Sequence, residues 1–202
     1  MGSEMCIRDR YWRSMKHVDW NLRIRDSLFG GRVEVLALHV KVTKAQQNQG
    51  YRLRYHDFVS MYPELLLTQE FPCSRARTMY APPVCQVLDR DKKLLYGGVI
   101  AALVLPKSDL SVGLLPVRLK SVSTKEDQVF YPLCRSCAEN GLHGCNKMIS
   151  CKHNDYARAF RGTWTSVELQ FAIDNGYTVL CVYQVCFCGD FLFRIYIRIV
   201  MT

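Results

Sequence analysis

Apolar and polar side chains alternate most regularly over residues 51–60. Tyr51, Leu53, Tyr55, Asp57 and Val59 fall on one side of an extended chain, and Arg52, Arg54, His56, Phe58 and Ser60 on the other. The pattern predicts a strand whose apolar face carries one carboxylate, Asp57, near its C-terminal end. Pro63 ends that strand and opens a helix, with Glu64 in the first turn and Leu65, Leu66 and Leu67 behind it. Upstream, Leu36, Leu38, Val40 and Val42 share one face of a strand over 33–42, and Gln46, Gln47, Asn48, Gln49 and Gly50 read as a hairpin loop. Asp57 is therefore expected on an antiparallel pair.

Further along, 73–83 reads as irregular and basic, with Arg75 and Arg77. An apolar run over 96–105 predicts another strand, stopped by Pro106, and 114–119 predicts an edge strand because it contains Pro116. Thr165 and Glu168 form a capping-box pair. They predict a helix with Leu169, Ala172 and Ile173 inward and Gly176 just past its end. Residues 177–186 alternate again as a strand, and Trp164 reads as core. The fold class expected is α+β: an antiparallel sheet with packed helices and a Cys/His-containing insertion.

The 202 residues are 49% hydrophobic, which excludes a disordered chain. The net charge of +9 and a pI near 9.1 favour a polyanionic partner, nucleic acid first, although an anionic membrane surface also fits. No apolar signal segment opens the chain, and no apolar run approaches the roughly 18 residues of a membrane span. The expectation is an intracellular protein without a membrane partner, whose ten cysteines are reduced, buried or metal-bound. Residues 1–10 are set aside: Met5-Cys6-Ile7-Arg8-Asp9-Arg10 resembles one frame of a transposase adaptor used in sequencing libraries. The charges of residues 1–10 cancel, Arg8 and Arg10 against Glu4 and Asp9, so the basic balance stands.

Three groups carry candidate chemistry. Asp57, at a strand end before a helix, can hold a divalent cation, while the free N–H groups of the helix start can hold phosphate. The same placement also suits an acid that merely faces the positive helix end. His56 points to the opposite face and is given no catalytic role. Gly30-Gly31 permits unusual backbone angles or the close approach of a partner, and also suits a simple turn. Arg32 can meet a phosphate or simply be solvated. Cys134-x-x-Cys137, then Cys145, then Cys151-Lys152-His153 suits tetrahedral zinc through Cys134, Cys137, Cys151 and His153, with Cys145 as substitute. Four protein ligands leave no open position, so such an ion would be structural. Reduced loop thiols are the alternative. Cys181, Cys186 and Cys188 read as buried thiols rather than a second metal group.

Asp57-Phe58-Val59-Ser60-Met61-Tyr62-Pro63 resembles the Asp-x-x-Ser-Leu-Tyr-Pro motif of family B DNA polymerases, with Met61 in place of Leu. Phe29-Gly30-Gly31-Arg32 resembles the Tyr-x-Gly-Gly element of their protein-primed branch, with Leu28 where that branch has Tyr. Residues 130–139 and 162–169 are similar to segments of Maverick/Polinton-type and related viral or organellar members. The resemblance runs in order from about residue 27 to 196.

It implies a palm-type sheet and nucleotidyl transfer assisted by two Mg²⁺ ions. Asp57 would ligate both ions, and the Phe58 carbonyl the nucleotide-bound one. Backbone N–H groups around Ser60 and Met61 would face the triphosphate, and Tyr62 would stack under the sugar. Gly30, Gly31 and Arg32 would meet DNA. The partners implied are a template-primer, deoxynucleoside triphosphates and a terminal priming protein, in a nuclear, viral or organellar setting.

The domain order expected is a connector over 11–32, a first palm segment with the metal-binding motif over 33–125, the Cys/His insertion over 126–161 and a second palm segment over 162–202, ending before the fingers. No Lys-x-x-x-Asn-Ser-x-Tyr-Gly, no Asp-Thr-Asp-Ser and no complete exonuclease site is present. A polymerase fragment inactive alone is the expectation. A zinc-dependent nucleic-acid-binding module without catalysis and a decayed mobile-element relic are the rivals.

Overall fold

The computed structural model describes residues 22–32, 38–68, 71–72, 75–120, 127–140, 151–188 and 191–192. In chain order the helices are α1 (Lys44–Asn48), α2 (Met61–Thr68), α3 (Arg135–Glu139), α4 (Asp155–Arg158) and α5 (Ser166–Asp174). The strands are β1 (Phe71–Pro72), β2 (Arg77–Tyr80), β3 (Gly98–Leu105), β4 (Val117–Lys120), β5 (Asp127–Phe130), β6 (Phe160–Thr165), β7 (Thr178–Phe187) and β8 (Phe191–Leu192). The chain divides into two compact units, residues 1–29 with 74–190, and residues 30–73 with 191–202.

The first unit is built on an antiparallel sheet in the order β2-β7-β3-β6. β3 is the uninterrupted apolar run that the sequence predicts, and the period of two explains why both faces are apolar. Ile100, Ala102 and Val104 face a core with Trp164, Leu169 and Val182, whereas Ala101 and Leu103 face a smaller cluster with Ala159 and Tyr183. Against β7 its register shifts twice, between Ala101 and Ala102 and between Leu103 and Val104.

The capping box forms as expected. Thr165 Oγ1 accepts from the Glu168 N–H, and Glu168 Oε2 accepts from the Thr165 N–H at 3.1 Å. Leu169, Ala172 and Ile173 are the buried residues of α5. The helix ends in a Schellman motif: the Gly176 N–H reaches the Ile173 carbonyl, the Tyr177 N–H reaches the Ala172 carbonyl, and Gly176 has φ +94°. Thr165→Ala is expected to cost about 1 kcal/mol in a urea titration, with Thr165→Ser recovering most of it.

Trp164 is fully buried, and its Nε1 donates to the Pro116 carbonyl at 2.8 Å. A Cβ at position 162 would run into the Trp164 ring, so Gly162 is a packing requirement. β4 starts after Pro116 and, among the described residues, pairs with β5 alone. Arg118 of β4 donates to the carbonyls of Asp26 and Leu28 at 2.9 and 2.7 Å and lies over the Phe29 ring.

Two expectations fail in the second unit. Residues 51–58 adopt no regular structure and are exposed, so the predicted strand over 51–60 is not formed and Asp57 does not lie on an antiparallel pair. The predicted hairpin loop is helix α1 instead, started by a capping box between Thr43 and Gln46. The two corrections have one cause. A strand must satisfy its backbone groups on a neighbour, and the helix replaces the turn that would have supplied one. Residues 33–37 lie outside the described set, and 38–42 contain no strand. α2 forms as expected, with Pro63 and Glu64 in its first turn.

In the first unit the 73–83 reading is also corrected. Its second half contains β2, paired with β7 from Arg77↔Phe187 to Tyr80↔Gln184. An edge strand with one apolar inward residue, Met79, shows no alternation to read; the pairing with β7 supplies the order.

Candidate functional site

Asp57 stands just ahead of the turn at 59–60 that leads into α2. It is exposed, and its Oδ1 accepts from the Phe58 N–H at 3.0 Å. Among the described residues it forms no ion pair. Its carboxylate is therefore neither sealed in hydrocarbon nor neutralised by a neighbouring arginine, the two placements that would have disqualified it as a cation ligand.

Ser60 takes φ +56°, left-handed backbone that costs a non-glycine residue roughly 1–2 kcal/mol. That residue reverses the chain between Asp57 and the helix. The Ser60 carbonyl accepts from the Glu64 N–H at 3.0 Å, closing the first turn of α2. The N–H groups of Met61 and Tyr62 have no partner within that turn, and Pro63 has none to offer. Phe58 and Tyr62 are 81% and 74% exposed, and Met61 is also exposed. An exposed carboxylate oxygen is a suitable donor for a hard cation such as Mg²⁺. Among the described residues, however, the one group of three or more His, Cys, Asp or Glu side chains close enough to share a metal lies elsewhere. Asp57 thus fits as a single ligand and needs others to complete a metal site. His56 is exposed as well.

Gly30, Gly31 and Arg32 are exposed. A Cβ at either glycine would meet nothing, and neither glycine has positive φ. Among the described residues no contact requires glycine there. The segment before them is tethered by Arg118, a residue that sequence reasoning missed. Its two carbonyl partners lie 92 and 90 positions away, a separation for which no local pattern gives a signal.

The metal group is the predicted set, Cys134, Cys137, Cys151 and His153, with all four ligand atoms within 4.8 Å of one another. Cys134 is the N-cap of α3, and Cys137 lies inside that helix. Cys151 and His153 stand just before Asn154, which caps α4 by accepting from the Ala157 N–H. The His153 Nδ1 is 3.4 Å from Cys134 Sγ, 3.2 Å from Cys137 Sγ and 3.3 Å from Cys151 Sγ. Cys137 Sγ and Cys151 Sγ are 3.6 Å apart. Cys134 and Cys137 are buried, Cys151 is half-buried and His153 is exposed.

Burial pushes the Cys134 thiol up, against hydrogen bonds from Cys137. Burial also pushes the Cys151 thiol up, but hydrogen bonds from the His153 backbone and ring and from the Cys137 and Cys134 thiols outweigh it and bring it down to about 6. The group could hold a metal such as zinc. Cys145 lies outside the described residues. Cys181, Cys186 and Cys188 are half-buried and belong to no metal group among the described residues, and burial pushes the Cys181 thiol up.

No curated protein and no solved structure matches the chain. The family described as DNA polymerase type B, organellar and viral, matches residues 15–202. That span contains Gly30-Gly31-Arg32, the Asp57–Tyr62 segment and all four members of the Cys/His group. With nearly all of its length matched to one family, the chain belongs to the organellar and viral type B DNA polymerases.

Proposed function

We propose that this chain supplies a portion of the palm of a DNA-directed DNA polymerase of the protein-primed, Maverick/Polinton-like branch, acting inside a cell in a nuclear, viral or organellar setting. It would extend a primer on a DNA template from deoxynucleoside triphosphates, with a terminal protein as the source of the primer. One observation carries the reading: the family match spans an exposed aspartate that sits, with a left-handed Ser60, immediately before a helix start.

Asp57 and the Phe58 carbonyl would hold two Mg²⁺ ions. Those ions, when bound, supply the positive charge that stabilises the attacking and leaving oxygens. The Ser60 and Met61 N–H groups lie at the positive end of α2 and would bind the triphosphate. The Tyr62 ring would pack under the sugar, where a flat surface leaves no room for a 2′-hydroxyl. Gly30 and Gly31 would let the template backbone approach closely, with Arg32 on a phosphate. A structural zinc ion at Cys134, Cys137, Cys151 and His153 completes the cofactors.

One aspartate cannot satisfy the near-octahedral oxygen ligation that Mg²⁺ demands, and the motif that carries the second carboxylate is absent from this sequence. The 202 residues alone are therefore expected to incorporate no labelled nucleotide in a primer-extension assay, and incorporation is expected once a segment bearing the two missing motifs completes the site. Incorporation by the 202 residues alone overturns this reading. The Cys/His group favours a second reading, DNA binding without chemistry. DNA affinity that is lost on chelation, with no incorporation by the completed chain, would support it.

A further inference from the structure

We propose that the zinc centre fastens the edge strand β6, so that metal occupancy sets the order of that side of the four-stranded sheet. The proposal rests on the zinc reading of the Cys/His group.

The geometry argues first for a shared cation. One imidazole nitrogen carries one proton or one lone pair. Yet three sulfurs converge on His153 Nδ1 at 3.4, 3.2 and 3.3 Å. A hydrogen bond can serve one of them, whereas a central ion serves all three. Zinc bonds of about 2.3 Å to sulfur and 2.0–2.1 Å to nitrogen, at tetrahedral angles, place sulfurs about 3.8 Å apart and sulfur and nitrogen about 3.6 Å apart. The four edges at 3.2–3.6 Å are a few tenths of an ångström shorter, a contraction that an ion at the centre would open. Three thiolates and an imidazole select a soft or borderline metal over Mg²⁺ or Ca²⁺. Four protein donors close the site.

What the centre holds follows from the chain path. The ligands come in two pairs, one on α3 and one immediately before α4, and only Ala159 separates α4 from β6. Ser136 Oγ, between the two ligands on α3, donates to the Ala157 carbonyl at 3.0 Å. The next residue, Arg158, is buried and donates to the Pro106 carbonyl at 2.7 Å, just past the end of β3. Among the described residues β6 lies at the edge of the sheet and pairs with β3 alone, from Val99↔Thr165 to Val104↔Phe160. A strand with one ladder depends on what anchors its ends. Here the entering end is tied at Ala157 to Ser136, which stands between the ligands Cys134 and Cys137, and at Arg158 to the end of β3. Without the ion, the buried sulfurs of Cys134 and Cys137 take up protons and the bonds that join α3 to the chain just before α4 are lost, so the Phe160 end of β6 is the first to open.

The test uses the full chain under reducing conditions, with zinc added and then removed by a chelator. Metal analysis is expected to give one zinc per chain, falling to none in the double variant Cys137→Ser/Cys151→Ser. Co²⁺ in place of zinc is expected to give the absorption of a tetrahedral thiolate site, and His153→Cys to keep zinc. Hydrogen exchange read by mass spectrometry is then expected to rise at least about tenfold over residues 157–165 on chelation, while 178–187 stays protected. A chain that binds no zinc, or a Cys137–Cys151 disulfide in the purified protein, overturns the zinc reading and the fastener with it. Zinc binding with unchanged exchange over 157–165, or with exchange rising throughout the unit, overturns the fastener alone.

Discussion

Asp57→Ala is expected to lower nucleotide incorporation by on the order of a thousandfold once the site is completed by the two motifs absent here. Removing a carboxylate from a Mg²⁺ site removes several kcal/mol of charge stabilisation at the reacting oxygens, and each 1.36 kcal/mol is tenfold in rate. The fold should not respond. Asp57 is exposed, and among the described residues its carboxylate bonds the N–H of the next residue. The measurement is primer extension at saturating DNA, with thermal unfolding and DNA affinity alongside. Asp57→Asn, which keeps the shape and removes the charge, is expected to behave like alanine, whereas His56→Ala should leave the rate unchanged. A loss smaller than tenfold with normal folding would remove Asp57 from the metal site.

Trp164→Ala is expected to destabilise the first unit by about 3–5 kcal/mol, a large fraction of the roughly 5–15 kcal/mol that holds a domain folded. The ring is fully buried, meets Phe160 edge-on at a centroid distance of 6.1 Å, and fills the space left by the missing side chain of Gly162. Its Nε1 also satisfies the Pro116 carbonyl just ahead of β4. Trp164→Phe keeps most of the hydrocarbon and strands that carbonyl, so about 1–3 kcal/mol is expected. Phe171→Ala, on an exposed position of α5, should stay within about 0.5 kcal/mol. Urea titrations of the three variants order them. A Trp164→Ala chain as stable as the Phe171→Ala chain would contradict this packing.

The regions of the fold that could be read from the chain are those decided by neighbours in sequence. The α5 capping box joins residues three apart, and its Schellman end joins residues three and five apart. β3 announces itself because eight consecutive residues suit burial on two faces. Cys134 caps α3 and Cys137 lies in its first turn, so a separation of three residues brings the two sulfurs to one end of the helix.

The same logic failed at 51–60. Alternation sorts side chains onto two faces but does not provide the second strand that the backbone needs, and at 44–48 the Thr43–Gln46 capping box claimed the residues that would have made the turn. β2 was illegible for the opposite reason: its order comes from hydrogen bonds to β7, more than a hundred residues on. Arg118 reaching back to Asp26 and Leu28, and Cys151 and His153 arriving beside Cys134 and Cys137, are decided in the same way, by contacts that exist only once the sheet is assembled. Spacing and residue chemistry were enough to choose the four residues of the Cys/His group, and the resemblance of the Asp57–Pro63 segment to a family motif pointed to the family. Whether those four residues meet, and whether Asp57 is paired or open, depends on long-range backbone pairing, which leaves no periodic trace in the order of the residues.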